Sequence, residues 1–525
     1  MKKYLTIASL CVGLAVDFLF WEKTPGISFA IFVVFCLAIG LELMYLQHIR
    51  PARSSSILLI PILLFCIMTF LRQDPFTIFM NVVLTLIAVA VLVITFQSGG
   101  WTSYNLQNYA VKLLQLIGSL FIHPKGPSDL AGSSENTENR GKNGKPILPV
   151  LRGVLLAVPI LALFIALFSS ADLVFAQKLH ELLAGFQIEN VGEYIFRAIY
   201  ILISAYFFAG LMHHAAVRSQ QTISMEAKEH RPKTFLGFTE TGIILGSVIL
   251  LFGIFIMIQF RYLFFGQSNI MLTGFTYAEY ARRGFNELIA VAIFSLLLFQ
   301  GMDAFSKREN PTQEHVFTGM QIGLVCAVLV ILVSAFQRLL LYESAYGFSE
   351  LRTYAHLFMI WLAILLIGVL ISALQKHQQF FANWILIVLA GFTVSLNLMN
   401  VDAFIARQNI HRALQGEELD ISYLSGLSDD AVPELVKTYL SSESSPALKE
   451  KIGAVLVCHT VLNGDAESQK KPWQSFHLST WRADRSMKTV KDDLSQYQVQ
   501  EDEWSNTVIS PTGVEYVCQT FTMFD

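Results

Sequence analysis

Long apolar runs recur through the first four hundred residues, each about as long as one bilayer crossing. They cover about 4–21, 26–46, 55–71, 76–96, 149–169, 194–213, 240–260, 284–301, 318–340, 354–374 and 381–399. A helix needs roughly 20 apolar residues to cross the hydrocarbon layer, and a backbone in lipid must satisfy its own hydrogen bonds. The runs are continuous, whereas barrel strands would alternate apolar and polar positions. The pattern predicts an all-α polytopic transmembrane bundle of about 11 helices. A small C-terminal extramembrane domain follows, helical at first and ending in a β-hairpin.

The breaks between runs set the organisation. Residues 1–122 hold the first four runs and a helix-spaced stripe, Leu106, Tyr109, Leu113, Leu116, Ile117 and Leu120, which suits a helix on the inner membrane surface or packed on other helices. Residues 123–146 are rich in Gly, Ser, Asn and Pro without periodicity, and read as a flexible cytoplasmic linker. Residues 147–400 hold the remaining runs, and 401–525 form the tail. In the tail, Phe404, Ile405 and Ile410 space helically and Gly416 fits a stop, while Pro511, Thr512 and Gly513 lie between two β-prone runs.

Composition sharpens the class. The chain is 54% hydrophobic and only 15% charged, with mean hydropathy +0.52; soluble domains carry about 25% charged residues. The first run follows Lys2 and Lys3, but Asp17 interrupts it and no A-x-A-like site follows, so it reads as an uncleaved span. With the N-terminus in the cytoplasm, inner segments carry 17 Lys and Arg through Asn400 and outer segments 9, the bias expected of a multi-pass protein of the cytoplasmic membrane. Eleven crossings then place the tail outside. The tail holds 19 acidic and 11 basic residues. That balance, with no basic run, argues against nucleic acid. Of six cysteines, Cys458 and Cys518 alone lie in the tail, where an oxidising compartment would let them form a disulfide. No metal-ligand spacing, nucleotide motif or nucleophile elbow appears, so neither a metal nor another cofactor is expected.

Charge is concentrated near the ends of the runs. In TYAEYARRGFNEL, Glu279, Arg283 and Glu287 share a helix face and Arg282 flanks it. Asp17, Asp172, Arg261, Arg338, Glu343, Arg352 and His356 fall on the same outer side. Ionisable groups at membrane depth normally face protein or water and pair. Together they suggest an outward-facing polar pocket able to take an anionic lipid headgroup or another membrane protein. The same residues would equally serve as interhelical salt bridges.

Several of these stretches, DFLFWEKTPGISFAIFV, SSADLVF, GFTYAEYARRGFNELIAVA, RLLLYESAYGFSELRTYAHLFM and NVDAFIARQNIHRA, resemble an uncharacterised bacterial family. It is the polytopic membrane group catalogued as domain of unknown function 4173, with a sister group 4153. The resemblance implies a bacterial multi-pass membrane protein with an extended C-terminal region, and it carries no activity. A sensor, regulatory or assembly role is therefore the leading expectation. The alternatives are a cell-envelope enzyme on a lipid-linked or phosphate-bearing substrate, with Glu279 or Glu343 as base and Arg282, Arg283 or Arg352 to hold phosphate, and a proton-coupled transporter.

Overall fold

A computed structural model describes residues 2–121, 191–220, 235–264, 285–375, 380–463, 472–501 and 506–518, with scattered positions between 157 and 178. The helices used below are α1 (Lys2–Phe20), α2 (Ile27–Leu46), α3 (Leu59–Met68), α4 (Pro75–Thr95), α5 (Leu106–Phe121), α6 (Val191–His213), α7 (Phe238–Phe264) and α8 (Phe285–Phe305). They continue with α9 (Pro311–Tyr346), α10 (Glu350–Gln375), α11 (Phe380–Met399), α12 (Val401–Leu414), α13 (Ile421–Ser425), α14 (Val432–Leu440), α15 (Pro446–Asn463) and α16 (Leu478–Met487). Three strands close the chain: β1 (Gln498–Glu501), β2 (Asn506–Ile509) and β3 (Glu515–Cys518).

Among the described residues, eight helices are long and apolar enough to cross a membrane: α2, α4 and α6 through α11. Two shorter apolar stretches, Tyr4–Phe20 and Arg53–Met68, match the first and third expected runs. The expected run at 149–169 lies mostly outside the described residues. Apolar side chains point outward as lipid requires: on α7, Ile243, Leu250 and Met257 are 67%, 66% and 75% exposed. The protein is a predominantly helical, polytopic membrane protein. Helix α9 runs longer than its apolar stretch, from Pro311 at its first turn to Gly347 beyond its end, so Glu343, just past the expected run, is helical along with Arg338.

The chain forms two compact units. The first comprises Met1–Leu59, Ala88–Trp101 and Ala110–Thr222. Within it α1 packs on α2 and α6 around Val12, Leu43 and Phe208. Gly13 permits this approach: a Cβ there would stand 2.4 Å from the Ile201 carbonyl oxygen. Leu116 and Ser119 of α5 are buried, and the Ser119 hydroxyl lies 3.0 Å from Nδ1 of His214, whereas Leu114 and Ile117 are exposed.

The second unit comprises Ile60–Ile87, Thr102–Tyr109 and Ile223–Asp525. Helices α7 to α11 share one apolar core that includes Leu245, Phe317, Leu324, Ile331, Met359 and Leu366. Helices α10 and α11 lock through reciprocal glycine–tryptophan contacts. A Cβ on Gly391 would lie 2.0 Å from the Trp361 ring, and one on Gly368 2.7 Å from the Trp384 ring. A second core starts at Tyr354, Phe392 and Leu396 on those membrane helices and runs through Ile405, Leu424, Val432 and Val455 to Val508 and Cys518. The tail's interior is therefore continuous with the helix ends.

The terminal sheet is an antiparallel meander in the order β1–β2–β3. The hairpin expected around Pro511–Gly513 joins β2 to β3. Gly513, at φ 89, allows its N–H to reach the Ser510 carbonyl at 2.9 Å. A disulfide joins Cys458 on α15 to Cys518 on β3 across 60 residues of sequence.

Candidate functional site

The residues singled out from the sequence distribute as follows. Arg261 belongs to α7, but its side chain, together with all of Glu279, Arg282 and Arg283, lies outside the described residues. Glu287 is exposed in the first turn of α8. In the first unit, Asp17 accepts a forked pair of bonds from Arg197, at 2.9 and 2.6 Å, and Asp172 accepts from the Val174 and Phe175 N–H groups. In the second unit, Glu343 is buried and lies 3.0 Å from Nδ1 of His356, whose ring packs edge-on against Phe336. The Arg352 guanidinium sits 4.1 Å from the Tyr342 ring centroid and donates to the Gly347 carbonyl at 2.6 Å. Buried Arg338 lies on the same helix as Glu343.

A different set of acids converges more tightly. Asp74, Glu350 and Asp402 each bring a carboxylate oxygen within 4.8 Å of the other two. Asp402 is fully buried, Asp74 is 3% exposed and Glu350 is partly covered. Local sequence explains each position. Asp74 precedes Pro75 and caps α4, accepting from the Phe76 and Thr77 N–H groups at 3.3 and 3.0 Å and from the Thr77 hydroxyl. Glu350 opens α10 after Gly347, whose φ of 81 and ψ of 179 form a sharp bend. A Cβ on Gly347 would stand 2.4 Å from Arg412 and 2.7 Å from Asn409, so the bend needs glycine. Asp402 follows Asn400, whose left-handed φ of 52 and ψ of 75 turn α11 into α12.

Hydroxyl groups ring the acids. The Tyr354 hydroxyl donates to Asp74 Oδ1 at 2.5 Å, and the Glu350 N–H donates to the Tyr423 hydroxyl at 2.7 Å. Asp402 Oδ2 accepts from the Ser428 N–H at 3.0 Å and from its hydroxyl. Asp402 Oδ1 is buried with no N–H or hydroxyl donating to it, and the Glu350 carboxyl lies within hydrogen-bond reach of the Asp402 carboxyl. Burial first, and then the charges of Glu350 and Asp74, push the Asp402 carboxyl well above the usual carboxylate range; the bonds from Ser428 offset this only in part. Two such charges no more than 4.8 Å apart repel by at least roughly 3 kcal/mol at an effective dielectric constant of about 20. Three ionised groups here require shared protons or a cation.

Beside this cluster, the 70–74 segment is stitched to the tail. Arg72 donates to the Asn397 carbonyl at 3.0 and 2.7 Å and reaches Asp430 at 3.5 Å. The Gln73 N–H donates to Asp430 Oδ2 at 2.7 Å, and the Leu478 N–H to the Phe70 carbonyl at 2.7 Å. Asn81 and Asn397 exchange amide bonds at 3.1 and 2.9 Å. Desolvation raises the Asp430 carboxyl, and the Gln73 N–H and Arg72 pull it back. On α12, Asn409 holds both the N–H and the carbonyl of Phe348 at 2.9 Å.

Glu350 and Asp402 lie within the quoted stretches RLLLYESAYGFSELRTYAHLFM and NVDAFIARQNIHRA, which nothing in the sequence joins, and Asp74 lies in none of the quoted stretches. Each is a lone acid at a helix end, and only the fold brings together positions 74, 350 and 402. The absence of a sequence-local ligand motif therefore says nothing about ligands drawn from three segments. The tail also gathers a cationic groove that no basic run announced. Lys437 on α14 and Arg482 and Arg485 on α16 line it with Trp481, and Arg485 lies 5.6 Å from the Trp481 ring centroid.

No curated protein and no solved structure matches the chain. A family model does, across residues 59–438, and that span takes in all three carboxylates. The match is to the sister group named from the resemblance; it does not support the finer placement in domain of unknown function 4173. By the extent of that match, the chain belongs to the family described as Domain of unknown function (DUF4153).

Proposed function

We propose that this is a multi-pass protein of the cytoplasmic membrane with a sensory, regulatory or assembly role. In this reading its extracytoplasmic C-terminal domain and the outer helix ends act as one responsive surface. The observation that carries it is the buried polar joint: Asp74 bonded to Tyr354, Asp402 to Ser428, and Arg72 to Asn397 and Asp430. An appendage with no mechanical role needs no such joint, since buried polar groups cost free energy unless each finds its partner. The core that continues from α10 and α11 into the tail supports the same reading, because packed interiors transmit displacement. A disulfide in the tail fits an oxidising compartment, and so does the excess of Lys and Arg on the opposite side.

The enzyme reading has less support. Of its candidate groups, Glu343 is engaged with His356 and Arg352 with Tyr342 and Gly347. Transport would need ionisable groups along a path through the bundle, whereas Glu287, Glu314, Glu343 and Glu350 lie within a turn of helix ends.

Hydrogen exchange on the full chain in lipid nanodiscs tests the coupling. Replacing Arg72 by Met should raise exchange both in the tail around 428–440 and in the first turns of α4. Faster exchange confined to the tail would make it an independent appendage and refute the proposal.

A further inference from the structure

We infer that Asp74, Glu350 and Asp402 form a binding site for a hard divalent cation of calcium size, held where the membrane helices α4 and α10 meet the first helix of the tail. Two independent features point there. The first is the convergence of three carboxylates from separate segments, with oxygens no more than 4.8 Å apart, two of the residues being almost wholly buried. The second is Asp402 Oδ1: the residue is fully buried, its other oxygen is held by Ser428, and no N–H or hydroxyl donates to this oxygen, so the partner left to the Asp402 carboxyl is the Glu350 carboxyl, itself an acceptor when ionised. A buried orphan acceptor among further acceptors is the arrangement that a cation completes.

The donor set selects the ion class. Every candidate ligand atom is oxygen, from carboxylates with the hydroxyls of Tyr354, Tyr423 and Ser428 around them, which favours calcium, magnesium or manganese over the nitrogen- and sulfur-seeking zinc. Coordination habit narrows it further: oxygens within 4.8 Å of one another fall inside the span of two Ca–O bonds of about 2.3–2.6 Å, and calcium accepts the irregular arrangement of three unrelated segments where magnesium demands near-regular octahedral geometry. Three negative charges around one divalent ion leave one uncompensated, which a calcium site tolerates with water completing its coordination. Occupancy would replace carboxylate repulsion by attraction and draw the starts of α4, α10 and α12 together. The inference thus rests on the proposed coupling for its consequence, though not for binding itself.

The test uses the full-length protein, stripped with chelator and held in nanodiscs. CaCl₂ titrated by calorimetry should bind at one site per chain with a Kd of about 10⁻⁴–10⁻³ M, the range of extracellular calcium modules. TbCl₃ should report the same site through luminescence sensitised by Tyr354. Asp402→Asn keeps an acceptor for Ser428, and Glu350→Gln leaves the backbone bond to Tyr423 in place; each should weaken binding at least tenfold. Protease resistance comparable to wild type shows which variant has folded, and either one suffices. Absence of saturable binding to the wild type overturns the inference, as does undiminished binding to a folded Asp402→Asn or Glu350→Gln chain. If calcium fails to bind while Arg72→Met still speeds exchange in α4, the cation site alone is refuted. Binding without any transmitted exchange refutes the coupling and leaves the site standing.

Discussion

Removing the Cys458–Cys518 disulfide should open the tail without disturbing the membrane helices. The bond closes a loop of 60 residues between α15 and β3, and its two cysteines are 0% and 3% exposed. Chain-entropy reasoning for a loop of about that length gives about 4 kcal/mol of stabilisation at 25 °C, carried by restriction of the unfolded tail. Converted at about 1.4 kcal/mol per decade, this is roughly a 10³-fold change in the population of the opened tail. Amide exchange along Ala454–Leu456, whose side chains lie in the tail core, reads that population directly. The Cys458→Ala, Cys518→Ala double variant should exchange there about two to three orders of magnitude faster than wild type, with α7 and α8 unchanged. Reductant should reproduce the effect in the wild type and do nothing to the variant. A change below about tenfold would show that β3 contributes little to closing the tail. A change in the variant that reductant fails to reproduce would assign it to lost packing at the two buried sites instead.

Other outcomes follow from single contacts. Arg72→Met removes the cation beside Asp430, whose folded carboxyl already titrates above its ordinary value. A raised carboxyl favours the fold below its unfolded value and loses that contribution as pH rises through the folded one. The variant should therefore be destabilised by about 1–3 kcal/mol near neutrality, and the gap from wild type should narrow as pH falls towards about 4 in parallel melts; a gap constant with pH refutes the assignment. Gly391→Ala should cost about 1–3 kcal/mol by driving a Cβ into the Trp361 ring. Trp361→Phe in the same chain should recover part of it in a double-mutant cycle, and strict additivity would count against the contact. Gly347→Ala should cost about 1–3 kcal/mol for its backbone conformation, apart from the crowding of Arg412 and Asn409; a neutral result in thermal melts would show that the bend relaxes freely.

How far the sequence reached depends on the scale of the signal. Bilayer-length apolar runs are continuous and local, so α2, α4 and α6 to α11 were legible as elements. The β2–β3 hairpin was legible from Pro511 and Gly513 for the same reason, while β1, rich in Gln and Glu, carried no strand signature. The carboxylate cluster was not legible. Asp74 looks like any helix cap before a proline, and its closeness to Tyr354 depends on packing 280 residues away. The boundary read at residue 401 rests on composition alone. Acidic composition marked a change of solvent exposure, but Ile405 and Val432 pack into a core that begins at Tyr354 and Phe392. The reciprocal Gly–Trp contacts of α10 and α11 also escaped, because neither glycine interrupts an apolar run.

The cluster has a consequence for topology. Asp74 precedes α4, Glu350 opens α10 and Asp402 follows α11, so their closeness puts the start of α4, the start of α10 and the end of α11 at one membrane face. Between Glu350 and Asp402 the chain crosses twice, through α10 and α11, which agrees. Between Asp74 and Glu350 the number of crossings must also be even. The described helices there that can cross are α4, α6, α7, α8 and α9, an odd set. The apolar run at 149–169, expected from the sequence as a span, would make the number even. Substituted cysteines in an otherwise cysteine-free chain, probed with an impermeant maleimide in intact cells, test this. Positions 103 and 192 should react from opposite sides of the membrane. Residue 348 and position 441 in the tail should both react from one side, the outside under the proposed topology. Labelling of 103 and 192 from one side would break the parity argument and, with it, the placement of the three carboxylates at a common face.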